Sequence, residues 1–240
     1  MAKGTTMAPP DFTNATVFPG FEDLPEAAAV SSSASVAPAA EDDGAWFLVA
    51  QVKDDMTITK PTLVLSDRAG APFALVFEGL ARDDLDLKRA GLKKGATAVV
   101  PGARRTPPRE EGKRGFVAVE KGRAAEVRAI PAPLERVVEL AAGMRAREEA
   151  RGGGSGACET CGKGGDGQGG DAAQLLRCTG CGEVRYCSKV GAWSWTMGII
   201  PPFTSVVADG DIQECQIQGW NEKGHKADCK VYKAINAIWK

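Results

Sequence analysis

From Trp46 to Ile130 the chain alternates short apolar runs with turn chemistry. Trp46–Val52, Thr62–Ser66, Phe73–Gly79, Thr97–Gly102, Phe116–Glu120 and Glu126–Ile130 are each five to seven residues long and rich in β-branched or aromatic side chains. That length and composition predict strands. Asp67-Arg68-Ala69-Gly70, Lys93-Lys94-Gly95 and Glu110-Glu111-Gly112-Lys113 separate them and read as hairpin turns. Five or six short strands in so few residues predict a small closed or nearly closed β-barrel, OB-like in shape. An unspecified β-sandwich fits the same pattern. The period then changes. Leu134, Val137, Val138, Ala141 and Met144 recur at helical spacing, which predicts an amphipathic helix. Arg145, Arg147 and Arg151 stand near its end, where a cation suits the helix dipole.

The other segments lack either period. Residues 1–44, rich in Pro, Ala and Ser, predict a disordered leader. The β domain then occupies 45–130, the helix and a linker 131–151, and a Gly-rich flexible joint 152–157. A cysteine-bearing module follows at 158–229, with a C-terminal helix or tail at 230–240.

Composition narrows the classes. Thirty Lys+Arg against 31 Asp+Glu leave a net charge of −1, not the footprint of bulk electrostatic attachment to nucleic acid. Aromatic residues at 6% predict a modest, aliphatic core. The start of the chain has no apolar stretch of the secretory kind. Val190–Ala208 is broken by Pro201-Pro202, so no membrane partner is expected. A cytoplasmic or nuclear location follows, where thiols stay reduced.

The candidate chemistry is concentrated in one place. All seven Cys and the single His lie between 158 and 229. An odd cysteine count argues against a disulfide framework. Eight ligands make two complete tetrahedral zinc sites, so two Zn2+ are the expected cofactors. The order is Cys158-x2-Cys161-x16-Cys178-x2-Cys181-x5-Cys187-x27-Cys215-x9-His225-x3-Cys229. Each C-x2-C is a knuckle that can put two thiolates on one ion, with Gly162, Gly180 and Gly182 expected to supply the positive-φ positions of the tight turns.

Cys178-Thr-Gly-Cys181, Tyr186-Cys187-Ser188, Cys215-Gln216, Trp220 and His225-Lys226-Ala227-Asp228-Cys229 stand, in order, as in the MYND-type zinc finger, which this module resembles. The terminal His-x3-Cys distinguishes it from a RING domain, which closes with a C-x2-C. The resemblance implies an interleaved pairing: Cys158, Cys161, Cys187 and Cys215 on one zinc, Cys178, Cys181, His225 and Cys229 on the other. It also implies that Gln216 and Trp220 flank a groove for proline-rich peptides in extended form. Trp220 reads equally as a cap on a small core, and Tyr186 reads as core.

One departure stands out. The family places three residues between its fifth and sixth Cys; here there are 27. Excising residues 190–213 restores the family spacing, with Cys215 expected to start the following helix. The segment holds no Lys or Arg and can be encoded with GT and AG ends, so a retained intron and a genuine loop insertion both stand as readings. Comparison of transcript with genomic DNA decides between them.

The function expected from these features is a non-enzymatic, zinc-dependent interaction adaptor that recruits proline-rich partners. A methyltransferase of the kind that surrounds a MYND finger would need an Asn-His motif, and the only His is committed to metal. Nucleic-acid binding through the barrel, by Arg104, Arg105, Lys113, Arg114, Lys121 and Arg123, is the alternative; only Phe116 is interleaved with those charges, as the stacking of single strands would require.

Overall fold

The computed structural model describes residues 8–27, 46–108, 112, 114–151, 156–163, 174–188 and 211–239. It divides into two compact units, Pro10–Ala142 and Gly143–Lys240 together with Met1–Pro9.

The first unit is built on one sheet. Its strands are β1 (Phe47–Asp55), β2 (Thr62–Ser66), β3 (Pro72–Glu78), β4 (Thr97–Pro101), β5 (Arg105–Thr106), β6 (Phe116–Glu120) and β7 (Arg128–Ile130). All six expected runs are strands, and two-residue β5 is added. The spatial order is β5-β6-β3-β2-β1-β4-β7. Every pairing is antiparallel except β3 with β6, which run parallel from Ala74↔Phe116 to Glu78↔Glu120. Alternation sets the buried face. In β3, Phe73, Leu75 and Phe77 are buried and the residues between them are not.

The closed barrel is not formed. β5 and β7 stand at opposite ends of the order and do not pair with each other. β5 is only two residues long because Pro107-Pro108 follow it, and proline supplies no N–H for further pairing.

The expected disordered leader is corrected by the burial of its first part. Phe12, Phe18, Phe21 and Leu24 are all buried. Phe21 stacks on Phe73 with ring centroids 4.4 Å apart and planes 7° from parallel. Its backbone N–H donates to the buried Asp67 carboxylate at 2.7 Å. The segment then runs beside β5: Arg105 N–H donates to Pro25 C=O, Ala27 N–H donates to Arg105 C=O, and the Arg105 guanidinium pairs with Glu22 and Glu26. This strap covers an edge that would otherwise offer unpaired backbone groups. It also corrects the expectation of an aliphatic core. Aromatic residues are few, yet Phe12, Phe18, Phe21, Phe73 and Phe77 are all inside. Residues 28–45 lie outside the described residues.

Helix α1 (Leu134–Arg151) follows, with Leu134, Val137, Leu140, Ala141 and Met144 buried at helical spacing. The boundary between the units falls inside it, after Ala142, and not at the expected joint; residues 152–155 of that joint lie outside the described residues.

The second unit contains the hairpin β8 (Gln174–Arg177) and β9 (Arg185–Ser188), then helices α2 (Asp211–Asn221) and α3 (His225–Trp239). Helix α3 buries Val231, Tyr232, Ile235 and Trp239 along one face. Helix α2 begins four residues before Cys215, not at it, so residues 211–213 of the expected insertion are helical. The rest of that segment, including Pro201-Pro202, lies outside the described residues. Among the described residues, no helix is long and apolar enough to cross a membrane.

Candidate metal centres and the adjoining groove

Both knuckles turn by the same local device. Gly162 N–H donates to Cys158 C=O at 2.9 Å, and Gly182 N–H donates to Cys178 C=O at 2.8 Å. Each glycine has φ +72°, a conformation that side chains disfavour. Gly180, expected to share that role, does not have a positive φ and answers a different need: a Cβ there would stand 2.8 Å from Cys229 Sγ, so the second knuckle closes on its metal partner only without a side chain.

The two knuckles, β9, α2 and α3 bring the eight ligands into two sets. Cys158, Cys161, Cys187 and Cys215 form one; Cys178, Cys181, His225 and Cys229 form the other. Within each set all ligand atoms lie within 4.8 Å of one another. The sets alternate along the chain, so each ties a knuckle to distant segments. The first joins its knuckle to β9 and α2, the second joins its knuckle to α3.

The donor geometry fits zinc. A tetrahedron with Zn–S bonds of about 2.3 Å has an S···S edge of about 3.8 Å. Cys161 and Cys187 place their Sγ atoms 3.7 Å apart, and Cys178 and Cys229 place theirs 3.8 Å apart. An N···S edge on the same ion should be about 3.6 Å. His225 Nε2 lies 3.3 Å from Cys178 Sγ and 3.7 Å from Cys181 Sγ. These separations are far too long for a disulfide, whose sulfurs stand about 2.05 Å apart.

The electrostatics of the two sets suit a cation. Burial pushes the Cys158 thiol up, but backbone groups of Cys161, Cys187 and Thr160 outweigh it and bring it down to about 7. Burial also opposes ionisation of Cys178, and the backbone of Cys181 and Gly180 reverses it. The partners then resist. Burial followed by the neighbouring thiols pushes Cys215 and Cys229 up to about 12. Burial raises Cys181 and Cys187 as well. These thiols oppose one another's ionisation, and a divalent ion among them would favour the thiolate form of each ligand. Burial lowers His225, which keeps its imidazole neutral and able to ligate.

Other side chains hold the ligands in place. His225 is surrounded by the rings of Trp220, Tyr186 and Tyr232, at centroid distances of 5.6, 6.1 and 6.1 Å. Thr160 Oγ1 donates to Cys215 C=O at 2.6 Å, and Lys223 Nζ to Thr160 C=O at 2.7 Å, fastening the first knuckle to α2. Asn236 Nδ2 donates to Cys181 C=O and to Glu183. Arg147 of α1 donates to Tyr232 Oη at 2.9 Å, lies over the Tyr232 ring and pairs with Glu159 at 3.5 Å. Sequence reasoning assigned Arg147 to the helix dipole and gave Tyr232 and Asn236 no role. Their only signal is their position on α3 between the buried residues, which names no partner.

Beside the second set lies a groove of about 410 Å3, lined by Cys178, Thr179, Gly180, Tyr186, Gln216, Ile217, Trp220 and Asn221. Gln216 and Trp220, which the sequence singled out, thus stand on one wall. Trp220 is 37% exposed and meets His225 edge-on, so it both lines the groove and packs on a ligand. Ile217 is 52% exposed on the same helix and was not anticipated. Tyr186 is buried, as expected, and its ring also reaches the groove floor. Gly219 lets α2 approach: a Cβ there would collide with the Tyr186 ring and stand 2.9 Å from Thr160 Oγ1.

The four arginines of the alternative nucleic-acid surface are engaged inside the first unit. Arg105 pairs with Glu22 and Glu26, and Arg123 with Glu126 and Pro101 C=O. Arg104 covers the Trp46 ring, and Arg114 donates to Pro72 C=O. Lys113 lies outside the described residues.

Two interleaved thiolate-rich sets with every ligand supplied by protein define a structural zinc-binding module. The MYND finger family matches residues 158–190, which takes in the first five cysteines and stops at the start of the inserted segment. MYND fingers are zinc-binding domains that generally mediate protein–protein interaction. Cys215, His225 and Cys229 lie beyond the match and join the sets through the fold. Comparison with curated proteins finds no match to the chain.

Proposed function

We propose that this protein is a non-enzymatic adaptor whose zinc finger recruits proline-rich segments of partner proteins into the groove beside α2. The observation that carries this is the juxtaposition of Trp220, Ile217 and Gln216 on one exposed wall of that groove. An indole face packs on a proline ring, and a side-chain amide bonds to an extended backbone that has no internal partners. Among the described residues the Gln216 side chain has no hydrogen-bond partner, and it stands on the groove wall where an extended backbone would pass. Each metal set has four protein ligands and no open position for substrate or water, which suits a structural role. The sole His is one of those ligands, which leaves no imidazole for acid–base work. A reduced-thiol centre suits a cytoplasmic or nuclear adaptor. Nucleic-acid binding by the first unit is the weaker reading, since its candidate arginines already have internal partners.

The test is fluorescence anisotropy of a labelled proline-rich peptide with the zinc-loaded full chain and its Trp220→Ala variant. Loss of an aromatic anchor costs about 2 kcal/mol, roughly a thirty-fold weakening. Two zinc ions should remain in the variant. Undiminished affinity in a folded, zinc-loaded variant removes Trp220 from the site; loss of zinc along with affinity assigns it to the core.

A further inference from the structure

The two metal sets differ in exposure. Cys178, Cys181, His225 and Cys229 are all buried. In the first set Cys158 is 3% exposed and Cys215, at the margin of burial, 9%, whereas Cys161 is exposed and Cys187 half-buried. The two accessible members are also neighbours, with Sγ atoms 3.7 Å apart. Thiolate oxidation follows access to the sulfur, so an oxidant in solution reaches this pair and not the other set.

We infer that Cys161 and Cys187 form a peroxide-sensitive modification site, whose conversion to a disulfide opens the first metal set and dismantles the groove while the second set survives. The oxidant is hydrogen peroxide. The Cys161 thiolate attacks one peroxide oxygen, the O–O bond breaks, and hydroxide leaves to take up a proton. The Cys187 thiolate then attacks the Cys161 sulfenic sulfur; the S–S bond forms, the S–O bond breaks, and a second hydroxide is protonated. Two thiolates, one peroxide and two protons become one disulfide and two waters. The sulfurs need to close from 3.7 Å to about 2.05 Å. Only Cys158 and Cys215 then remain as donors, too few for a structural zinc site.

The structural consequence follows from where these residues sit. Cys215 lies on the same helix as Gln216, Ile217 and Trp220, and Cys187 adjoins Tyr186 on β9. The first set therefore anchors the groove wall to the hairpin and, together with the Thr160 and Lys223 hydrogen bonds, to the first knuckle. The second set joins its own knuckle to α3, whose buried residues provide separate packing. The effect on the groove rests on the peptide-binding proposal; the oxidation itself does not.

The experiment treats the reduced, zinc-loaded full chain with a small molar excess of hydrogen peroxide. A chromophoric chelator follows zinc release, and peptide mass spectrometry without reduction maps the linkage. One zinc should leave at least ten times faster than the other, with Cys161 joined to Cys187, and dithiothreitol plus zinc should restore the starting state. Release of both ions in step, a first linkage containing a cysteine of the second set, or retention of both ions overturns the inference. A parallel anisotropy measurement reads the groove: the oxidised chain should lose its proline-rich peptide, and retained affinity overturns the claimed dismantling. If the reduced chain never binds such peptides, the peptide-binding proposal fails alone, and zinc release and linkage still decide the redox site.

Discussion

The two compact units reach stability by opposite means. Residues 10–142 bury a continuous apolar cluster, with Leu48, Leu63, Leu65, Leu75 and Phe77 wholly inside. The unit of 143–240 buries cysteines and one histidine where the first buries leucines, and among its described residues the apolar packing is Met144, Val184 and Tyr186 with one face of α3. Hydrophobic burial is non-directional and spreads over many residues, whereas metal ligation concentrates stability in a few bonds. The first unit should therefore tolerate losses gradually, and the second should fail at single points.

The sharpest way to break this contrast is to remove the metal. Structural zinc contributes on the order of 10 kcal/mol per site. A strong chelator should unfold the second unit and leave the first unit's β signal and cooperative thermal transition in place. Cys178→Ser should do the same, because the second set is the buried one. Loss of both units together would show that their stabilities are linked.

A smaller effect is expected from within the first unit. Phe21→Ala removes the ring stacked on Phe73 and should cost about 3–5 kcal/mol, read as a lower denaturation midpoint for that unit alone. If 8–27 were only a loosely attached leader, the change would be near zero. Gly219→Ala comes next. The added methyl meets Tyr186 and Thr160, and overpacking of this kind costs about 1–3 kcal/mol. It should lower zinc affinity at the first set, measured by competition with a chromophoric chelator, without moving the transition of the first unit.

The smallest effect concerns pH. The fold lowers the pKa of His225 from 6.5 by burying it, so the folded second unit binds fewer protons there than the unfolded chain. This contribution favours the fold above about pH 6.5 and is lost as pH falls through the lowered value. Acid should also protonate the ligands and release zinc. Melting curves between pH 7.5 and 5.5 should show the second transition moving down more than the first. Equal movement of both would assign the acid effect elsewhere.

How much of this was legible depended on how local the cause is. The strands of the first unit could be read because each carries its own period and is bounded by its own turn. Sheet closure could not, since it depends on whether distant edges meet, and the brevity of β5 prevents it. The strap was missed because Phe12, Phe18, Phe21 and Leu24 follow neither helical nor strand spacing; they become a pattern only against Phe73, Asp67 and Arg105. In the second unit the ligand types and spacing carried the chemistry, and the interleaving implied by the family resemblance matches the two sets that the fold gathers. The start of α2 was misplaced because the ligand pattern marks where the metal binds, not where the helix begins. Arg147 escaped notice for the opposite reason: a cation near a helix end already has an adequate local explanation.

The strap also sets an order for synthesis. Glu22 leads its partner Arg105 by 83 residues, and Phe21 leads Asp67 by 46. At roughly 5–20 residues per second, the ribosome delivers Arg105 about 4–17 s after Glu22. Phe12, Phe18, Phe21 and Leu24 therefore travel ahead of the sheet that will cover them, and for those seconds they stay exposed on the nascent chain. A translational pause after β6 would leave this earlier-made segment time to seat before the cysteines emerge, and slow decoding between residues 27 and 105 would instead prolong its exposure to chaperones.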